Sequence, residues 1–182
     1  ILVAGAVGLA GAAAAGASFR KFFDRDPDRT IPDGDCLVAP ADGKVIAVTK
    51  LDGTAKVAID KGLLGRINLL TSDLGPQPLI MISIFMSPLV VHVQRTPIGG
   101  RIRSVNHVDG RLRVTNTLRA LDNERAETVI ETPWGCVKVV QIAGVLARRI
   151  ETWLRPGEQV PAGTRLGRIR LGSQVSMFIP AT

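Results

Sequence analysis

The chain has no tyrosine, aromatics make up only 4% of it, and its 182 residues include just two histidines and two cysteines. A core so poor in rings must be built from Val, Ile, Leu and Ala, which suits strands better than an aromatic-lined cofactor box. Cys36 and Cys136 form no CxxC and no metal-ligand spacing. They imply no disulfide framework, and two buried free thiols are expected. HExxH, a P-loop, GxGxxG behind a strand and a carboxylate cluster are all missing, which leaves no metal or nucleotide motif. No G-x-S-x-G elbow is present either, which weakens an ordinary hydrolase reading.

What the chain does have is a formal charge of +7 and arginines along much of its length. Such a balance suits nucleic acid, an anionic membrane or an anionic substrate. Without zinc-finger spacing, an RRM signature or a basic run interleaved with aromatics, no nucleic-acid partner is expected. Residues 1–18 carry no charge, although Gly5, Gly8, Gly11 and Gly16 dilute their hydropathy. A span needs about 20 apolar residues. Arg20, Lys21 and Arg25 follow, and the positive-inside tendency keeps that flank in the cytoplasm. We therefore expect a membrane-anchoring apolar helix or hairpin over 1–18. A single domain over 19–182 would then lie at the cytoplasmic face of the cell membrane. A cleaved signal peptide and a buried helix are the alternatives for 1–18. The start at Ile1 and the short stretch after Ser173 lead us to expect further chain at both ends.

Beyond Asp26-Pro27 the pattern is one of short apolar runs punctuated by Gly, Pro and Asp. Strands are predicted over 35–39, 44–49, 78–86, 100–108, 112–115, 127–132 and 136–142, with a short helix starting in 143–150. Leu154–Gly167, with a Pro-Gly turn and a second Gly turn, resembles the hairpin of lipoyl-type domains. The predicted fold is mainly β (α+β), a barrel-like or sandwich domain with lipoyl-like hairpin features behind the N-terminal apolar helix.

Taken singly, the candidate chemical residues are ordinary. His92 between valines reads as a core histidine, Asp42 before Gly43 as a turn former, His107 as a surface residue and Gly172–Ser173 as a strand start. Their order matters more. Phe22-Phe-Asp-Arg-Asp-Pro-Asp-Arg29 with Ile31-Pro32, Ala39-Pro-Ala-Asp-Gly-Lys-Val45, and Phe85-Met-Ser-Pro88 with Val91-His-Val93 and Arg95-Thr-Pro97 come first. Asn123-Glu124-Arg125, Val140-Gln-Ile-Ala-Gly144, Ala147-Arg-Arg-Ile150 and Leu166-Gly-Arg-Ile-Arg-Leu-Gly-Ser173 follow. Together, over residues 19–180, they resemble the phosphatidylserine decarboxylase family in its short prokaryotic form. Val90 stands where that family often has Asp, and Arg95 where longer relatives have a second His.

The resemblance implies a self-processing enzyme. Ser173 attacks the carbonyl of Gly172, the bond between them breaks, and residue 173 becomes a covalently bound pyruvoyl group, the cofactor. A large chain then ends at 172 and a small chain starts at 173. By the same resemblance His92 is the base and Asp42 orients it, as in a serine-protease triad. The pyruvoyl group would form a Schiff base with the substrate amine and release CO2, turning phosphatidylserine into phosphatidylethanolamine. Arg95, Arg148 and Arg149 are candidates for the lipid phosphate. Implied partners are an anionic phospholipid, the membrane and the two chains of one precursor. The lipid backbone (diacyl or ether-linked) and a homodimer stay open. A non-catalytic, membrane-tethered lipoyl-like binding module and a serine hydrolase using Ser173, His92 and Asp42 are the competing readings.

Overall fold

A computed structural model describes residues 18–34, 36–52, 56–60, 66–112, 121–122, 124–144, 149–170 and 173–181. The strands are β1 Lys44–Leu51, β2 Lys56–Asp60, β3 Arg66–Leu70, β4 Leu79–Met86, β5 Val93–Arg95, β6 Gly100–Val108 and β7 Arg111–Leu112. They continue with β8 Leu121–Asp122, β9 Arg125–Thr132, β10 Gly135–Ala143, β11 Ile150–Thr152, β12 Gln159–Val160, β13 Arg165–Ile169 and β14 Ser173–Pro180. A seven-stranded sheet has the order β1-β4-β14-β10-β9-β6-β12, and a three-stranded sheet the order β11-β13-β5. The pairs β2–β3 and β7–β8 stand apart as small ribbons.

The apolar run behind β4 explains its central position. β1 and β14 pair with its two edges, most of its side chains on both faces are buried or half-buried, and Pro78 and Ser87-Pro88 bound it. Alternation along β14 then sorts the interior. Gln174, Ser176 and Phe178 face one way, and Phe178 packs with Leu79, Met81, Val140 and Ile142. Ser173 and Val175 face the other way. There Val175 joins Met86, Val139, Ala143, Ile150, Leu166 and Ile169, so the small sheet covers one face of the large one.

The mainly β expectation holds, but the barrel does not. The large sheet is open, with β1 and β12 at opposite edges. The expected hairpin over Leu154–Gly167 is also corrected. Its two glycine turns (Gly157, φ 94°; Gly163, φ 78°) are present, but β12 pairs with β6 while β13 pairs with β11 and β5. The segment therefore carries the chain from one sheet to the other. Residues 36–39 form no strand, and Val38 donates its amide to the carbonyl of Pro97. Ala143 ends β10 and Ile150 begins β11, while most of the helix expected between them lies outside the described residues. Both cysteines are free, but Cys36 is exposed and Cys136 half-buried, so neither is the buried thiol expected. The apolar helix expected over 1–18 lies almost wholly outside the described residues, where 18–23 form a helical turn. Among the described residues no helix is long and apolar enough to cross a membrane.

Candidate active site

Ser173 is the first residue of β14, 3% exposed, and sits between Met86 of β4 and Ala143 of β10. Its hydroxyl donates to the Met86 Sδ at 3.3 Å. Sulfur is a weak acceptor, so the hydroxyl is held without being activated. Gly172 lies outside the described residues. The approach to it does not. β13 ends at Ile169, whose amide donates to the carbonyl of His92 at 3.2 Å. The chain thus leaves the small sheet beside His92 and enters the large one at Ser173, and the Gly172–Ser173 bond lies on this crossover.

His92 is fully buried and lies just before β5. Its Nδ1 is 2.9 Å from the carbonyl oxygen of Val90. A carbonyl only accepts, so Nδ1 carries the proton and Nε2 keeps its lone pair. Among the described residues that Nε2 is buried with no hydrogen-bond partner. Phe23, 5% exposed, lies over the ring with centroids 4.1 Å apart. Burial lowers the imidazole pKa below its usual 6.5; the Val90 bond works against this, and the nearby Arg25 charge lowers it further. A neutral imidazole with a free Nε2 is suited to accept a proton.

Gln94 links His92 and Ser173. Its Nε2 donates to the His92 carbonyl at 2.8 Å and to the Met86 Sδ at 3.5 Å, the sulfur that also takes the Ser173 hydroxyl. Gln141 of β10 donates its Nε2 to the Gln94 Oε1 at 2.8 Å. Both glutamines are fully buried. Composition and spacing did not single them out, nor Met86, Phe23 or Arg29. The signal was a glutamine in each of two apolar runs, Val91-His-Val-Gln94 and Val139-Val-Gln-Ile142, because a buried amide needs partners.

The structure does not join Asp42 to His92. The Asp42 carboxylate accepts from Arg29 Nη2 at 2.7 Å on a partly exposed surface, and Val90 takes the imidazole Nδ1 instead. Asp42 is held there by Gly43 (φ 150°), where a Cβ would stand 2.3 Å from the Phe85 carbonyl oxygen. It lines two clefts flanking the 87–92 loop. One, of about 160 Å³, also takes in Arg29, Val91, Val93 and Arg95, and the other takes in Lys44, Phe85, Ser87 and Val90. Arg95 is already occupied, with Asp26 at 2.7 Å and the carbonyls of Gly163 and Pro27. It could meet a phosphate only by giving up Asp26. Arg149 is exposed, and Arg148 lies outside the described residues. Among the described residues, no three His, Cys, Asp or Glu side chains gather to hold a metal ion.

The segment before the fold is strapped over this region. Asp24 pairs with Arg168, Asp26 with Arg95 and Arg165, and Asp28 with Arg165. Asp24 closes the helical turn, Asp26 and Asp28 follow it, and the three carboxylates meet arginines of one basic surface while Phe23 lies on His92.

The profile of the family described as phosphatidylserine decarboxylase matches residues 17–182. The chain is 43% identical over 164 residues, 90% of its length and 71% of the relative's, to a protein of Methanothermobacter thermautotrophicus. That relative bears the provisional name archaetidylserine decarboxylase proenzyme. No solved structure gave a significant match. The chain belongs to the phosphatidylserine decarboxylase family.

Proposed function

We propose that this chain is the precursor of a pyruvoyl-dependent decarboxylase of serine phospholipids, and that it makes its reactive group by breaking Gly172–Ser173. One observation carries the reading: His92, whose unprotonated Nε2 is buried with no partner among the described residues, is linked by its carbonyl through Gln94 to the Met86 sulfur that takes the buried Ser173 hydroxyl.

Ser173 turns its Oγ from Met86 to the Gly172 carbonyl carbon while His92 Nε2 takes the hydroxyl proton. The C–N bond breaks as the C–O bond forms, and His92 returns the proton to the freed amine. Loss of the Ser173 Cα proton then breaks the Cβ–Oγ bond, and Oγ leaves as part of the Gly172 carboxylate that ends the large chain. Water replaces the nitrogen of residue 173, ammonia departs, and a ketone remains at the start of the small chain. The Val90 carbonyl keeps Nε2 available throughout, and Asp42 supports the imidazolium once it leaves Arg29.

The site fits the product. Residue 173 is enclosed by Met86, Ala143 and Val175, keeps its three carbons, and has the Gln94 amide nearby to meet a new acceptor. The group supplies an electrophilic carbonyl for the substrate amine and a sink for the electron pair left when CO2 departs. The headgroup chemistry needs only an amine and a carboxylate on one carbon, so diacyl and ether lipids both qualify. The named relative makes archaetidylserine the first lipid to assay. The uncharged stretch 1–18 and the basic residues behind it support a domain at the cytoplasmic face of the membrane.

Intact mass of the expressed protein tests the reading. Two chains are expected, the smaller starting at residue 173 and lighter by one ammonia than a Ser-initiated peptide. Ser173→Ala should give one chain and no CO2. A wild-type chain that stays whole on long incubation overturns the proposal.

A further inference from the structure

Two donors converge on one poor acceptor inside the protein. The Ser173 hydroxyl and a Gln94 N–H both point at the Met86 sulfur, at 3.3 and 3.5 Å. The orientation of the Gln94 amide is fixed on both sides. Its Nε2 faces the His92 carbonyl, which can only accept, and its Oε1 receives the Gln141 amide. It therefore cannot flip to present its oxygen to the sulfur. A buried N–H spent on a thioether forgoes most of what a carbonyl acceptor would return.

Maturation reverses the polarity at residue 173. The hydroxyl, a donor, leaves with Gly172, and a ketone, which only accepts, takes the place of the amine nitrogen. A buried carbonyl left without a donor is costly. Neutral His92 cannot supply one, since its single N–H is on Val90. Gln94 can, because its second N–H gains by exchanging sulfur for oxygen.

We propose that the Gln94 carboxamide is the donor that holds the carbonyl formed at residue 173, resting on the Met86 sulfur until the serine hydroxyl has gone. Gln141 is its positioning residue and fixes the carboxamide from the Oε1 side. Gly167 makes room for Gln141, as a Cβ there would stand 3.0 Å from the Gln141 Nε2. The inference rests on the maturation reading above and adds to it a residue that touches the reactive group.

The first test uses unmutated protein. In ¹⁵N-labelled samples the Gln94 side-chain N–H resonances are compared between the mature protein and uncleaved Ser173→Ala. One of the two protons should move downfield on maturation, and unmoved resonances overturn the proposal. The second uses whatever fraction of Gln94→Met splits. Its ketone stretch, read by Raman with ¹³C-serine labelling, should shift up relative to the mature wild type, and an unshifted band counts against Gln94. If mass spectrometry shows that wild type never splits, the maturation reading has failed and the assignment of Gln94 falls with it. Splitting without either spectroscopic change sinks the Gln94 assignment alone.

Discussion

His92 has its tautomer set by one backbone oxygen and its neutral form favoured by burial. Burial under Phe23 and the Arg25 charge lower its pKa below 6.5, while the Val90 bond works against them. In the proposed mechanism the unprotonated form is the base, so self-cleavage should hold its rate down to pH 6.5 and fall only as pH drops through the folded pKa. Stability moves with the same sign. A histidine whose folded pKa is lowered contributes fully above 6.5, and that contribution is lost as pH falls from 6.5 towards the folded value. Phe23→Ala should let water in and move the cleavage midpoint up towards 6.5, as read from cleavage time courses across pH. His92→Ala should slow cleavage by about 10²–10⁴-fold. Asp42→Asn should cost less, because Val90 already holds the tautomer. Of these residues, Ser173, His92 and Asp42 were legible only through the order of the segments around them. That Arg29 rather than His92 holds the Asp42 carboxylate was not legible, since the residues lie far apart in sequence and only the fold brings chains together.

At the level of elements, the proposed cleavage bond falls between β13 and β14, and β13 is fixed from both sides. Glu151 binds Arg168 at 2.8 Å and Arg170 at 2.9 Å, and Gly167 lies so near β11 that a Cβ would stand 2.2 Å from the Glu151 carbonyl oxygen. A backbone oxygen has nowhere to retreat. Gly167→Ala should therefore pry β11 from β13, at a cost of about 2–3 kcal/mol or roughly 5–10 °C in Tm. Cleavage should slow more than the stability loss explains, because the same strand holds Ile169 on the His92 carbonyl just before the proposed cleavage bond. Thermal melts and cleavage time courses on one sample check both. The strands of the large sheet were legible because long β-branched runs between Gly and Pro leave little else to form: β6 matches its prediction, and β4, β9 and β10 differ only at their ends. The passage over Leu154–Gly167 was misread because turn glycines locate a reversal without saying which strand receives the chain. β12 and β13 are each two to five residues long and find their partners in different sheets.

At the level of the whole molecule, the proposed substrate is a lipid, and one part of the surface has the chemistry to meet it. Phe19, Phe22 and Leu89 are 48%, 45% and 69% exposed. Arg25 joins them, its guanidinium 3.9 Å from the Phe22 ring centroid and bonded to the Leu89 carbonyl. Arg20 and Lys21 lie on the same helical turn, directly behind the uncharged stretch 1–18. Leu89 belongs to the loop that runs into His92, and Phe23 of that turn covers the imidazole. A membrane under this patch would bring headgroups to the histidine side of the domain. Basic residues near an anionic surface contribute about 1 kcal/mol each, and burying one large apolar side chain about 1.5–3 kcal/mol. Phe22→Glu combined with Leu89→Glu reverses both terms while leaving Ser173, His92 and Gln94 in place. Turnover on vesicles of serine phospholipid should fall roughly tenfold or more. Turnover of a short-chain, monomeric serine phospholipid should change little, since that substrate needs no docking. Equal losses on both substrates would mean that the patch supports the site itself, and that the membrane meets the domain elsewhere.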